Sequence, residues 1–307
     1  MTSDTRSHLT TGARKLAGLA ASAAVIALLA GCTTANEPTA PEPTLSALSH
    51  VHEILPASSA DAVLLGTHEG LYTVDRSGEV VGPLGGNDFD AMGLTNAADG
   101  LVASGHPGST TPAELGSPHL GIIRSDDSGT TWYSQAFAGT EDFHTLTSGP
   151  DGVLYGVGSS TTAVRSSTDG GATWSAGADV GAVDLSVTAE GWLLAATADG
   201  LQRSGDGGAS FTVIADTPLF YQLTTTPDGT VVGVDTAGVL RASADGTNWS
   251  SVGAASGSVQ ALGASTDGAI VLIDDRGLVW IDGSGSPPRA SRRRRRRRSA
   301  PRQRRSA

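Results

Sequence analysis

Four short segments of one pattern recur along the chain. They are SDDSGTTW (Ser125–Trp132), STDGGATW (Ser167–Trp174), SGDGGASF (Ser204–Phe211) and the one-residue-shorter SADGTNW (Ser243–Trp249). Their aspartates, Asp127, Asp169, Asp206 and Asp245, stand 42, 37 and 39 residues apart. A period near 40, with only short apolar runs between turns, points to the blades of a β-propeller and away from a helical array. With the turns aligned, six copies fit between His50 and Asp282, each with three matching strands. The first strands read VHEIL, FDAMGL, FHTLT, VDLSV, YQLTT and VQALG, and Gly, Asp and Ser cluster at every junction, as hairpins require. The expected fold is therefore all-β, a β-propeller of six blades. Five copies carry a fourth strand, but the sixth runs into SGSPPRASRRR, which does not read as one. Either Thr44–Ser49 closes the ring from the N-terminal side, or the last blade is truncated.

The two ends of the chain differ from this interior. A basic start (Arg6, Arg14, Lys15) precedes an apolar run, Leu16–Ala30, the arrangement of a secretory signal. Leu29-Ala30-Gly31-Cys32 resembles the lipobox of bacterial lipoproteins, which implies that Cys32 is lipidated and holds the protein on the extracytoplasmic face of a membrane. Cys32 is the sole cysteine, so an intrachain disulfide or a thiolate metal cluster is excluded. The expected organisation is a signal over 1–31, the lipidated cysteine and a Pro/Thr/Ala tether over 32–49, the propeller over 50–286 and a tail over 287–307. The tail carries eleven arginines, whereas residues 33–288 have six arginines, no lysine and thirty acidic residues. So acidic a propeller is not expected to bind nucleic acid. The tail reads either as a disordered polycation or as translation past a frame change.

The repeated turns resemble the Asp-box (BNR) repeats of sialidases and other secreted β-propellers. More narrowly, with HVHEILPAS, GTHEGLY, ASGHPG and DFHTL, the chain resembles bacterial propeller lipoproteins of sialidase-like or glycosyl-hydrolase-like type. The resemblance implies that Asp127, Asp169, Asp206 and Asp245 close hairpins between third and fourth strands, with ligands bound on the opposite face. It does not carry over a sialidase active site. The Arg-Ile-Pro signature is missing, and Arg124, Arg165, Arg203 and Arg241 repeat just before the turns, which marks them as structural.

Function is then expected where first strands begin and second-to-third-strand turns lie. Aligning the first strands places His52, Asp90, His144, Asp184, Gln222 and Gln260 after an apolar residue in each copy, as one ligand-binding ring. The six histidines after the signal, His50, His52, His68, His106, His119 and His144, all fall in the first three copies. His119 ends a long insertion, Gly105–Gly121, placed to fold over the rim. His50, His52, His68, His106 and His144 with nearby carboxylates suit Zn²⁺ or Cu²⁺, and Met92 beside them favours copper. A rim of hydrogen-bonded histidines without metal fits the same pattern. The reading is a lipid-anchored propeller binding a metal ion, glycan or small molecule at this rim. The alternatives are a glycoside hydrolase using two of Glu53, Glu69, Asp90, Asp184 and Glu141, and a cell-surface protein-interaction platform.

Overall fold

Short runs of β-branched and apolar residues between Gly/Asp turns pair most readily with their chain neighbours, and the strands follow that rule. The structure, a computed structural model, describes residues 44–282. The first meander is β1 (Val51–Pro56), β2 (Ala62–Thr67), β3 (Gly70–Asp75) and β4 (Val80–Val81). The second is β5 (Asp90–Ala97), β6 (Gly100–His106), β7 (Ile122–Ser125) and β8 (Tyr133–Ala136). The third is β9 (Phe143–Ser148), β10 (Leu154–Gly158), β11 (Ala163–Ser167) and β12 (Ser175–Asp179). The fourth is β13 (Ala182–Val187), β14 (Leu193–Thr197), β15 (Gly200–Ser204) and β16 (Thr212–Val213). The fifth is β17 (Phe220–Thr225), β18 (Val231–Asp235), β19 (Val239–Ser243) and β20 (Ser250–Ala254), and β21 (Ala261–Ala264), β22 (Ile270–Asp274) and β23 (Gly277–Ile281) follow.

Each of β5–β8, β9–β12, β13–β16 and β17–β20 forms a separate four-stranded sheet. β1–β4 and β21–β23 merge into one sheet of seven strands through a single parallel bridge, Ile54 to Gly263. The innermost strands β1, β5, β9, β13, β17 and β21 each touch the next, and β21 touches β1, closing a ring around a channel. The fold is a β-propeller. The signal segment, Cys32, most of the tether and the arginine-rich tail lie outside the described residues.

The last meander has three strands among the described residues. Thr44–Ser49, one of the two alternatives for the end of the last blade, forms no strand: it holds a single 3-10 turn, Leu45–Ala47, with Leu45 and Leu48 packed on the cluster containing Trp280. The two leucines are three residues apart, a spacing that puts both on one side of a helical turn but on opposite faces of a strand.

Apolar side chains fill the seams between meanders. Leu64 and Leu71 meet Phe89, Leu94 and Ile123, while Val102 and Ile122 meet Phe143, Leu146 and Leu154. The inner strands approach so closely that a Cβ at Gly93 would lie 2.5 Å from the Phe143 carbonyl oxygen.

The repeated turns sit at the far ends of the third strands and are built alike. In the second of them the Asp169 carboxylate accepts from Thr173 N (2.9 Å) and Thr173 Oγ1 (2.6 Å), and buried Ser167 Oγ accepts from Gly171 N (2.9 Å). Backbone and hydroxyl donors hold the carboxyls of Asp127, Asp169 and Asp206 down at about 2. Trp174 donates from Nε1 to Gly171 O (2.9 Å), and its ring lies 5.1 Å from that of Phe143 at the seam. The arginines ahead of the turns have structural partners. Arg124 pairs with Asp99 and Asp126, Arg165 with Glu141 (2.7 Å) and Arg241 with Asp235 (2.7 Å), and Arg203 lies over Trp192.

Candidate metal centre

In an up-and-down meander the start of the first strand and the turn between the second and third share one end, opposite the repeated turns. That end carries a recurrent irregularity. The β1–β2 pairing skips His52, β5–β6 skips Met92, β9–β10 skips His144, β13–β14 skips Val183 and β17–β18 skips Tyr221. A bulge frees one residue from the ladder and re-aims its side chain. All five bulged residues line one cavity of about 200 Å³ at the mouth of the channel.

Five of the six residues aligned in sequence, His52, His144, Asp184, Gln222 and Gln260, also line this cavity. Asp90 does not, and Met92 takes its place. The bulge is the reason. Asp90 lies two residues before the freed position of its strand, as Asp142 does before His144 and His50 before His52. These three precede the bulge and sit with the imidazoles of the neighbouring turns.

The result is a continuous array of six histidines around two aspartates. His52 Nε2 lies 3.1 Å from Asp90 Oδ1, and His68 Nδ1 lies 3.9 Å from Asp90 Oδ2. His106 stands between the carboxylates, with Nδ1 3.7 Å from Asp90 Oδ2 and Nε2 3.5 Å from Asp142 Oδ2. His119 Nδ1 lies 3.0 Å from Asp142 Oδ1, and His144 Nε2 is 2.7 Å from Asp142 Oδ2. His52, His68 and Asp90 form one group whose ligand atoms are all within 4.8 Å of one another, and His106, His119 and Asp142 form a second. Of the histidines expected as ligands, His50 and His144 fall outside both groups. His50 Nδ1 is 2.6 Å from Gln260 Nε2, and its ring meets His52 and His68 edge-on.

The electrostatics favour ligation. Burial pushes the Asp90 carboxyl up, but His52, His68 and His106 outweigh it and hold the group below its ordinary value. Asp142 is almost fully buried, and its burial is likewise overcome, by Ser159 Oγ and then by His144 and His106. Burial, followed by the repulsion of His52 and His68, lowers the pKa of His50. Both carboxylates are thus charged and the imidazole of His50 tends to neutrality.

His119 arrives from the Gly105–Gly121 insertion. Leu115 and Leu120 bury in the core, and Asp88 binds Ser109 Oγ, Thr110 N and Thr111 Oγ1 at the loop's far side. The sequence reading left His119 out of the ligand set and missed Asp142 altogether. The signal was the recurrence of Asp-x-Met at Asp90 and Asp-x-His at Asp142, with His50-x-His52 before them.

Below the mouth, Glu53 and Asp184 line both this cavity and a second one of about 320 Å³. Burial pushes the Asp184 carboxyl up to about 7, against hydrogen bonds from Leu223 N (2.7 Å) and Leu185 N (2.8 Å). Burial and the Asp184 charge push Glu53 up as well.

The chain matches no protein-family model and no curated protein sequence. Its fold does match solved structures. A gluconolactonase from Xanthomonas campestris superposes with a TM-score of 0.56 at 14% identity, over 76% of this chain and 86% of that one. Nidogen, from its complex with laminin, gives 0.54 at 12%, over 74% and 92%. The GH74 enzyme of Niastella koreensis gives 0.52 at 19%, over 78% of this chain but 37% of that enzyme. Identities this low establish the β-propeller fold and leave activity to the site itself.

Proposed function

We propose that this protein is a lipid-anchored, extracytoplasmic propeller with Asp-box hairpins whose histidine rim binds a divalent transition-metal ion. One observation carries the metal reading. His52 Nε2 and Asp90 Oδ1 are buried and only 3.1 Å apart, yet neither has a hydrogen-bond partner. Buried polar atoms without partners are costly. Two buried atoms this close with no well-aligned hydrogen bond between them are in the arrangement expected of two ligands of a common third atom. Around a tetrahedral ion with bonds of about 2.0–2.1 Å, ligand atoms lie about 3.3 Å apart. The imidazole and carboxylate donors suit Zn²⁺ or Cu²⁺, and Met92 at the same mouth adds a soft thioether that favours copper.

The test is metal content of the full chain after equilibration with Zn²⁺ or Cu²⁺ and removal of free ion. A Cys32→Ser background removes the sole thiol. Retained metal, reduced in a His52→Ala/Asp90→Asn variant, supports the reading, whereas no retained metal refutes it. Fatty-acid labelling of the wild type, absent in Cys32→Ala, tests the anchor.

Glycoside hydrolysis is the second reading. It is favoured by Glu53 and Asp184, two channel carboxyls with raised pKa values of the kind a general acid needs. Turnover of a glycoside panel, abolished by Asp184→Asn, would put this reading first.

A further inference from the structure

The rim holds two clusters of ligands, and His106 of the second also faces the aspartate of the first. The first group is His52, His68 and Asp90, from β1, the β2–β3 turn and β5; the second is His106, His119 and Asp142. Each contains a buried nitrogen with no hydrogen-bond partner, His52 Nε2 in the first and His119 Nδ1 in the second. The His106 ring spans the gap, with Nδ1 toward Asp90 and Nε2 toward Asp142 at 3.7 and 3.5 Å. Both separations are too long for hydrogen bonds but ordinary between ligands of one ion.

We propose that the rim binds two transition-metal ions, one per group, bridged by the imidazole of His106. This rests on the metal-binding reading above. Neutral imidazole has one N–H, so bridging requires that proton to leave to solvent as the second ion binds. Two ions on opposite nitrogens of one ring stand about 6 Å apart, given metal–nitrogen bonds of about 2.0 Å. That exceeds the roughly 3.5–4 Å of two-metal hydrolytic sites. The pair is therefore built for holding or coupling two ions, not for clamping one phosphoryl group between them. Asp142 is fixed by Ser159 and His144, and Asp88 secures the insertion that brings His119. The second subsite depends on that loop and the first does not.

The experiment is a stepwise titration of the full Cys32→Ser chain with Cu²⁺, read by native mass spectrometry and electron paramagnetic resonance. The expected result is two ions per chain, with the signal of the singly loaded protein largely lost at the second equivalent through exchange across the bridge. His106→Ala should abolish that loss while two weaker, uncoupled ions still bind. His119→Ala should remove the second ion and spare the first. Saturation at one ion, with none bound by the His52→Ala/Asp90→Asn variant, overturns the two-ion proposal and leaves the metal reading standing. Two ions whose signals simply add in the wild type overturn the bridge. No binding at all overturns both.

Discussion

Gly93→Ala tests whether the ring of inner strands holds the rim together. Gly93 lies in β5, three residues after Asp90, and its Cβ position is 2.5 Å from the carbonyl oxygen of Phe143 in β9 and 3.2 Å from the Leu146 side chain. Carbon–oxygen contacts of this kind settle near 3.3 Å, so the strands must part by roughly 0.8 Å. Forcing one methyl group into a packed core costs about 1–3 kcal/mol. Reduced freedom of the unfolded chain returns about 0.4–1 kcal/mol. A net loss of about 1–2 kcal/mol lowers the unfolding midpoint of a domain this size by roughly 2–8 °C. Phe143 lies between Asp142 and His144, so the same movement draws the Asp142 group away from the Asp90 group. The assay is thermal unfolding followed by circular dichroism, with metal content measured on the same sample. The expected result is a lowered midpoint together with reduced metal uptake. An unchanged midpoint would refute the close approach of β5 and β9, and a lowered midpoint with full metal uptake would refute its link to the rim.

Arg165→Met leaves Glu141 buried without its 2.7 Å partner and is expected to cost about 3–5 kcal/mol by urea unfolding. Ser167→Ala strips the acceptor from the buried Gly171 N–H and should cost about 1–3 kcal/mol, whereas Ser167→Thr retains part of it. The Asp184 carboxyl, at about 7 in the fold against an ordinary 3.8, binds its proton more tightly folded than unfolded. Its contribution to stability is full below pH 3.8 and drains away as the pH rises through about 7. Asp184→Asn should flatten that part of the stability profile, and an unchanged slope would show the group is not held protonated.

The strands were legible because their signals are local. Turn residues recur at a fixed period, and each apolar run is only as long as one strand, so aligning four turns positions the rest. The rim was legible in part. His52, His68, His106 and Asp90 belong to positions that simple meander topology puts at one end. Asp142 was hidden because a bulge inserts one residue without any marker in composition, and an alignment made by apolar residues slides across it. His119 was hidden for another reason: its place depends on how a 17-residue insertion, Gly105–Gly121, packs Leu115 and Leu120, which no periodicity encodes. Among the described residues the last meander has three strands, and the 3-10 turn that packs beside Trp280 depends on tertiary contact that no periodicity encodes.

The bulges separate two demands that usually compete within one strand. His52, Met92, His144, Val183 and Tyr221 have no partner residue in the register of their sheets, so their side chains are free of the alternation that commits the rest of each strand to the seams. Exchange at these positions changes the chemistry of the mouth one strand at a time, from imidazole to apolar or acidic, without moving the strands' other residues between faces. Val183 and Tyr221, on the half of the mouth without histidines, show what such a position looks like when it carries no ligand.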